Sequence, residues 1–327
     1  MSHQQTLWSA LAALLMTLVV PASAALPAPA AKLDVVATTP DLAFFAESIG
    51  GDRVDVKSLA KGRENMHALV VKPRTIVAMS RADLLLENGL SLESTWLPDL
   101  ILASRNKALS YETGGRVNCG ADFEPLEVPT TLSRKEGDVH PEGNPHFTLS
   151  PTAGRHIASR VLAGLIALDP EGRELFESRH AALTKHLDKA EARWALYRPL
   201  FDGKPAVVYH QEFDYLVDYL GLEIVATLEP KPGIAPTPAH IARVIGVIEK
   251  HEVPVVLTAP WSNNRSASAV AAKSGAEVLE LPALVGGASF ATDWFTLIDG
   301  SLERLCEAYG VEPPKAAKPE MKTAEGE

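Results

Sequence analysis

The chain has 327 residues, 46% hydrophobic and 22% charged, an ordinary globular composition with length enough for two domains. Its net charge of −10 and the lack of any Lys/Arg-rich block argue against nucleic acid as a partner. Cys119 and Cys306 are the only cysteines and form no C-x-x-C pair, which excludes a thiolate zinc site by spacing and leaves one long-range disulfide open.

Taken in chain order, the first charged side chain apart from His3 is Lys32. Before it runs LWSALAALLMTLVVPASAALPAP, whose apolar part of about 14 residues is short for a membrane span. It ends in Ala22-Ser23-Ala24, a small-residue cleavage signal, so residues 1–24 are expected to be a signal peptide, although no Lys or Arg precedes the apolar run. No cysteine follows at the cleavage point, so no lipid anchor is expected there. The processed chain is expected to be exported, periplasmic, monomeric and not membrane-spanning.

The processed region reads as alternating strand and helix, twice over. LDVVATT is a strand, with a helix from about Leu42 to Ile49; RVDVKSL, a helix in KPRTIVAMSRA, DLLLENG and a helix in LESTWLPDLILAS follow. Short apolar runs bounded by Gly, Asp and Pro and spaced by helical patterns predict an α/β fold with mainly parallel sheets. After Ser110 the pattern lapses into a polar, Gly-rich stretch to about Asn144. Helical periodicity returns in TAGRHIASRVLAGLIAL. The longest helical signal then runs from Pro170 to about Arg198, with an apolar stripe at Phe176, Leu183, Leu187, Ala190, Trp194 and Tyr197 and Pro199 as a stop. At 1.5 Å per residue it spans about 43 Å, enough to join two lobes.

A second series follows: PAVVYH and a helix, LEIVATL and PAHIARVIGVIEKH, VPVVLTA and RSASAVAAKSG, then AEVLELP and a last helix near Asp293–Tyr309. The expected organisation is a first α/β lobe over 25–168, a linking helix over 169–199, a second α/β lobe over 200–311 and a disordered tail over 312–327, rich in Pro, Lys and Glu.

Strand C-terminal ends form the rim where ligands bind in such sheets. Three histidines sit at loop positions of that kind: His67 after the second strand, His146 in GNPHFTLSP, where Pro145 stiffens the approach, and His210 at the end of AVVYH. If the lobes face each other, two rings from the first and one from the second converge. Neutral imidazoles suit Zn²⁺, and three of them leave a fourth tetrahedral position. Loop carbonyls could fix each ring's second nitrogen.

The segments HALVVKPRTIVAMSRADLLLENGLSLESTWL, GNPHFTLSPTAGRHIA, YHQEFDYLVDYLGLEIV, LEPKPGIAPTPAHIARVI and SGAEVLELP resemble the zinc/manganese cluster of ABC-transporter solute-binding proteins, in that family's order. The resemblance implies two α/β lobes joined by one long helix, with His67, His146 and His210 as metal ligands. It also implies capture of a divalent metal for an ABC permease and, through the permease, its ATPase, with no catalysis. In many members an Asp in an LDPLG-like segment is the fourth ligand; here the matching stretch, LPALVGG at 281–287, carries no acid. Asp293 is the nearest downstream candidate, with helix N-capping as its competing role; Glu64 and Glu212 stand behind it.

The His-rich loop of some zinc-type members is reduced to His140, either a transient metal contact or a solvated loop residue. His156, His180, His186, His240 and His251 lie on or beside amphipathic helices and are read as surface or packing residues. The proline-rich LEPKPGIAPTPAH reads as a rigid connection, with Thr237 as N-cap, that also shapes a cleft wall. Three imidazoles and a missing Asp favour Zn²⁺ over Mn²⁺ or Fe²⁺ as the transported ligand. Two other functions fit the same residues: an exported zinc hydrolase, against which no H-E-x-x-H is present, and a metal-binding adhesin or buffer without a permease.

Overall fold

The computed structural model describes residues 32–129 and 140–315; the expected signal peptide and most of the expected tail fall outside these residues. Strands β1 (Leu33–Ala37), β2 (Val54–Ser58), β3 (Leu84–Glu87) and β4 (Arg116–Asn118) form one sheet in the order β2-β1-β3-β4. Strands β5 (Pro205–Val208), β6 (Glu223–Thr227), β7 (Val255–Thr258) and β8 (Glu277–Glu280) form a second in the order β6-β5-β7-β8. Every pairing is parallel. In chain order the helices are α1 (Pro40–Gly50), α2 (Pro73–Arg81), α3 (Leu97–Ser104), α4 (Ala153–Leu168), α5 (Arg173–Trp194), α6 (Arg198–Phe201), α7 (Asp214–Leu220), α8 (Pro238–His251), α9 (Asn264–Ser274) and α10 (Trp294–Tyr309).

Strands buried on both faces read as continuous apolar runs, and β3 and β7 are buried at every residue. Proline opens α1, α2, α3 and α8, at positions where a helix has no use for the N–H. Thr39 and Thr237 accept from Leu42 N and His240 N at the starts of α1 and α8, satisfying orphan donors of the first turn.

Two expectations need correction. The stretch after Ser110 contains β4, whose three residues pair with Leu85, Leu86 and Glu87. Its flanking side chains are polar, so no apolar alternation announces it; the Arg116 guanidinium instead pairs with Glu87 at 2.5 Å. Pro199 also does not stop the long helix. A tighter turn at 195–197 resets the chain, and Pro199 falls in the first turn of α6, where its missing N–H costs nothing. The helical run is continuous from Pro170 to Phe201, 32 residues.

All six residues of the predicted stripe on this helix are buried. Below them lie α1, α4 and α10: the Trp194 indole donates to Asp299 Oδ1 at 2.6 Å, and both Asp299 oxygens accept from Arg193. From α10, the Trp294 indole donates to Thr148 O at 2.8 Å, two residues beyond His146. Cys119 and Cys306 are buried and unbonded.

Several buried side chains break the usual rule for cores, Asp41 most fully. Asp41, at the start of α1, is fully buried and neither carboxylate oxygen has a hydrogen-bond partner. Burial pushes its pKa up to about 7, and the neighbouring N–H groups of Asp41 and Val285 oppose that only in part.

Candidate metal centre

Each of the three histidines is held by its own local device. His67 lies in a tight turn, Met66–Ala68, where the Asn65 side chain accepts from His67 N at 2.9 Å. The residues just before α3 brace that turn: Thr95 Oγ1 donates to His67 O at 2.6 Å and the Trp96 indole to Met66 O at 2.7 Å. For His146, Gly143 adopts φ 106°, a region open to glycine, and the chain then enters the stiff Asn144-Pro145 pair. Asn144 Oδ1 accepts from His146 N at 2.9 Å, while Asn88 donates to Pro145 O at 2.9 Å. The second half of the chain grips the same loop, because Tyr215 donates to Asn144 O at 2.7 Å and Asn144 donates to Gln211 O at 2.9 Å. His210 follows β5 and opens the turn leading to α7.

These devices bring the rings together. One ligand nitrogen from each of His67, His146 and His210 lies within 4.8 Å of the other two. The Nε2 atoms of His67 and His146 face each other at 3.1 Å. Two nitrogens bound at 2.0–2.1 Å to one tetrahedral ion stand about 3.3 Å apart, so this pair is already near the spacing a metal needs. Ring centroids are 5.0 Å apart for His67 and His146, 5.4 Å for His67 and His210, and 5.7 Å for His146 and His210.

His210 carries a partner that the sequence did not announce. Its Nδ1 lies 2.8 Å from Glu229 Oε2, and that oxygen also accepts from Gly233 N at 2.9 Å. The carboxylate, not a loop carbonyl, therefore fixes the tautomer and leaves Nε2 for the shared point, the carboxylate–histidine arrangement common around metals. Glu229 follows β6, next to β5 in the sheet, so the pairing depends on strand order. The acid placed before the proline-rich connection was the one available signal.

The fourth-ligand candidates are placed elsewhere. Asp293 N-caps α10: its Oδ1 accepts from Thr296 N at 2.8 Å and its own N–H donates to Thr296 Oγ1 at 2.9 Å. Asp293 thus forms a capping box with Thr296 and is outside the group of three. Glu64 accepts from Lys61 N at 2.8 Å and pairs with Lys72 at 3.3 Å. Glu212 is buried, with Oε1 accepting from the Trp261 indole at 3.1 Å and Oε2 unpartnered.

The acid-free loop 281–287 has a mechanical position. Leu284, buried, packs into a cluster with Met66, Leu69 and Trp96 from the first lobe. Gly62 meets this loop backbone to backbone; a Cβ there would fall 2.1 Å from the Gly286 carbonyl carbon. Arg63 donates to Gly287 O and pairs with Glu280, both at 3.0 Å.

Electrostatics divides the three rings. Burial, then the charges of His210 and His140, push His67 down to about 3. Burial and the neighbouring imidazoles hold His146 well below its ordinary value. For His210 burial also acts downward, but Glu212, the Glu229 hydrogen bond and Glu127 overcome it and raise the ring above 6.5. Two rings are therefore kept neutral, as coordination requires, and the third is polarised by acids.

Two parallel α/β lobes on one long helix, with imidazoles from both gathered at one point, define the metal-binding, solute-binding protein of an ABC-type metal transporter. The chain matches the ZnuA family, zinc-uptake complex component A, periplasmic, over residues 35–308, and belongs to it. Among its relatives, the iron-binding protein YfeA of Yersinia pestis is 26% identical over 86% of this chain and 88% of its own. The high-affinity zinc uptake protein ZnuA of Bacillus subtilis is 24% identical over 78% and 79%, and the manganese transporter lipoprotein PsaA of Streptococcus pneumoniae 25% identical over 68% and 70%. The crystal structure of a ZnuA deletion mutant with zinc bound superposes with a TM-score of 0.72 and 25% identity, covering 86% of this chain and all of that one. Among the described residues no helix is long and apolar enough to cross a membrane.

Proposed function

We propose that the protein captures one divalent transition-metal ion, Zn²⁺ in preference to Mn²⁺ or Fe²⁺, in the periplasm and delivers it to an ABC permease and thereby to its ATPase. His67, His146 and His210 are the ligands in this reading. The observation that carries it is the convergence of three imidazole nitrogens within 4.8 Å, two of them 3.1 Å apart. Relatives are named for iron, zinc and manganese, so the preference for zinc is argued from the donors. Three neutral nitrogens without a carboxylate suit zinc better than the harder Mn²⁺. No chemical step is needed: binding and release are the whole function, carried out by a monomer exported by its signal peptide, residues 1–24. The two lobes, 25–168 and 200–311, flank the ion, and the 169–199 helix limits how far they part.

The test is metal titration of the chelator-stripped protein against His67→Ala, His146→Ala, His210→Ala and Asp293→Ala. Each histidine change is expected to weaken zinc at least about 10-fold, a loss typical even of groups one shell removed from a metal. Asp293→Ala is expected to leave affinity near wild type and to lower helix stability instead. Unchanged zinc affinity in any two of the three histidine variants refutes the assignment.

A further inference from the structure

His67 and His146 lie 79 residues apart in the chain, yet their Nε2 atoms meet at 3.1 Å. One connection, residues 88–96 between β3 and α3, reaches both of them. At its start the Asn88 side chain donates to Pro145 O at 2.9 Å, and Ser91 Oγ donates to Glu142 Oε2 at 2.8 Å, so the approach to His146 is held at two points. At its end lie the braces of the other turn, from Thr95 to His67 O and from the Trp96 indole to Met66 O.

The connection takes a shape that a chain does not adopt unaided. Gly89, Leu90 and Ser91 have φ of 85°, 49° and 62°, three consecutive residues in the left-handed region, two of which carry side chains. Glu93, 3% exposed, holds them there. Its Oε1 accepts from Asn88 N at 2.7 Å and from Thr38 Oγ1 at 2.6 Å, and its Oε2 from Gly89 N at 3.2 Å. Its main-chain oxygen accepts from Trp96 N at 3.1 Å and Leu97 N at 2.9 Å. The side chain thus fixes the end that holds His146, and the main chain the end that holds His67. An apolar side chain in its place would leave Gly89 N buried without its acceptor.

We propose that Glu93 is a positioning residue of the metal centre: it holds residues 88–96 as a rigid spacer that sets the distance between His67 and His146. The proposal rests on the three-histidine reading above. Ligands serve an ion only when their supports keep them within about 0.5 Å of the bound geometry. His146 has a second hold, from Tyr215 and Gln211 in the other lobe, and His210 has its own in Glu229. The spacing of His146 and His210 is therefore set without Glu93, whereas the spacing of His67 and His146 runs through it.

The experiment is Zn²⁺ competition titration with Co²⁺ visible absorption, which reports the arrangement of donors around the ion, and a thermal melt on each protein. The variants are Glu93→Gln, Asn88→Ala and His67→Ala, with each of the first two also combined with His67→Ala. Leu165→Ala, buried in α4, supplies a protein of lowered stability that keeps all of these hydrogen bonds. Glu93→Gln and Asn88→Ala should each weaken zinc about 10-fold and alter the Co²⁺ spectrum, beyond anything seen in Leu165→Ala. Added to His67→Ala, Glu93→Gln should cost less than about twofold more, because the spacing it sets no longer exists. Wild-type zinc affinity and Co²⁺ spectrum in folded Glu93→Gln overturn the proposal. So does an equal loss with and without His67, or an equal loss in Leu165→Ala, since either marks a merely structural role. If Glu93→Gln does not fold, Asn88→Ala decides by the same comparisons. His67→Ala separates the two levels: if it leaves zinc unaffected, the three-histidine site itself fails; if it weakens zinc while Glu93→Gln and Asn88→Ala do not, only the positioning role fails.

Discussion

Acid should weaken metal binding with a slope that reports how the fold treats each ring. Metal and proton compete for the same imidazole nitrogen. Three ordinary histidines, each titrating near 6.5, would together lose about a thousandfold in affinity per pH unit below that value, because three protons must leave for one ion to bind. Here His67 is held near 3 and His146 well below its usual range, so neither takes up a proton in mild acid. Only His210, raised by Glu212, Glu229 and Glu127, carries one. The loss should therefore be about tenfold per pH unit, or about 1.4 kcal/mol, and should begin above pH 6.5 because that ring is raised. Between pH 6 and 4 this amounts to about a hundredfold, against about a millionfold for three unperturbed rings. Competition against a chromophoric chelator, corrected for the chelator's own protonation, measures the slope directly. A slope near three decades per unit in that window would falsify the claim that burial keeps two rings neutral.

Three further predictions follow from single contacts. Glu229→Ala frees the second nitrogen of His210 and should cost about 10–100-fold in zinc affinity at pH 7.5, read by the same competition assay; an affinity within twofold of wild type would mean the ring is oriented by something else. Leu284→Ala empties a seat among Met66, Leu69 and Trp96 and should lower unfolding free energy by about 2–5 kcal/mol in urea titration, an unchanged midpoint being the contrary result. Asp41→Asn should stabilise the protein in alkali. The folded pKa of about 7 lies above the ordinary 3.8, so the buried carboxylate destabilises the fold increasingly as pH rises from 3.8 to 7. The gain should approach an upper bound of about 4 kcal/mol at pH 8 and vanish near pH 4, and equal melting shifts at both values would refute it.

How much could be read without coordinates depended on whether a signal was local. The strands LDVVA and VVLT and the stripe from Phe176 to Tyr197 carry their own periodicity and fall where their apolar residues put them. β4 carries none, because Arg116 and Asn118 are held by Glu87 and by the neighbouring strand, which belong to another part of the chain. The three histidines were singled out by their places at strand ends and, for His146, by the Asn-Pro pair before it, whereas the Asn65 turn at His67 shows only in three dimensions. Glu229 was hidden because its meaning comes from β6 lying beside β5. Asp293 was ambiguous for a chemical reason, since the carboxylate that caps a helix is the same group that binds a metal. The capping box with Thr296 is visible only in three dimensions.

The seating of Leu284 gives the 281–287 loop a default state. Lifting that loop away exposes a leucine to water, at about 2 kcal/mol for the side chain alone. By itself that leaves the loop lifted in only about one molecule in thirty. A partner offering an apolar recess of its own would take over the leucine and cancel the penalty.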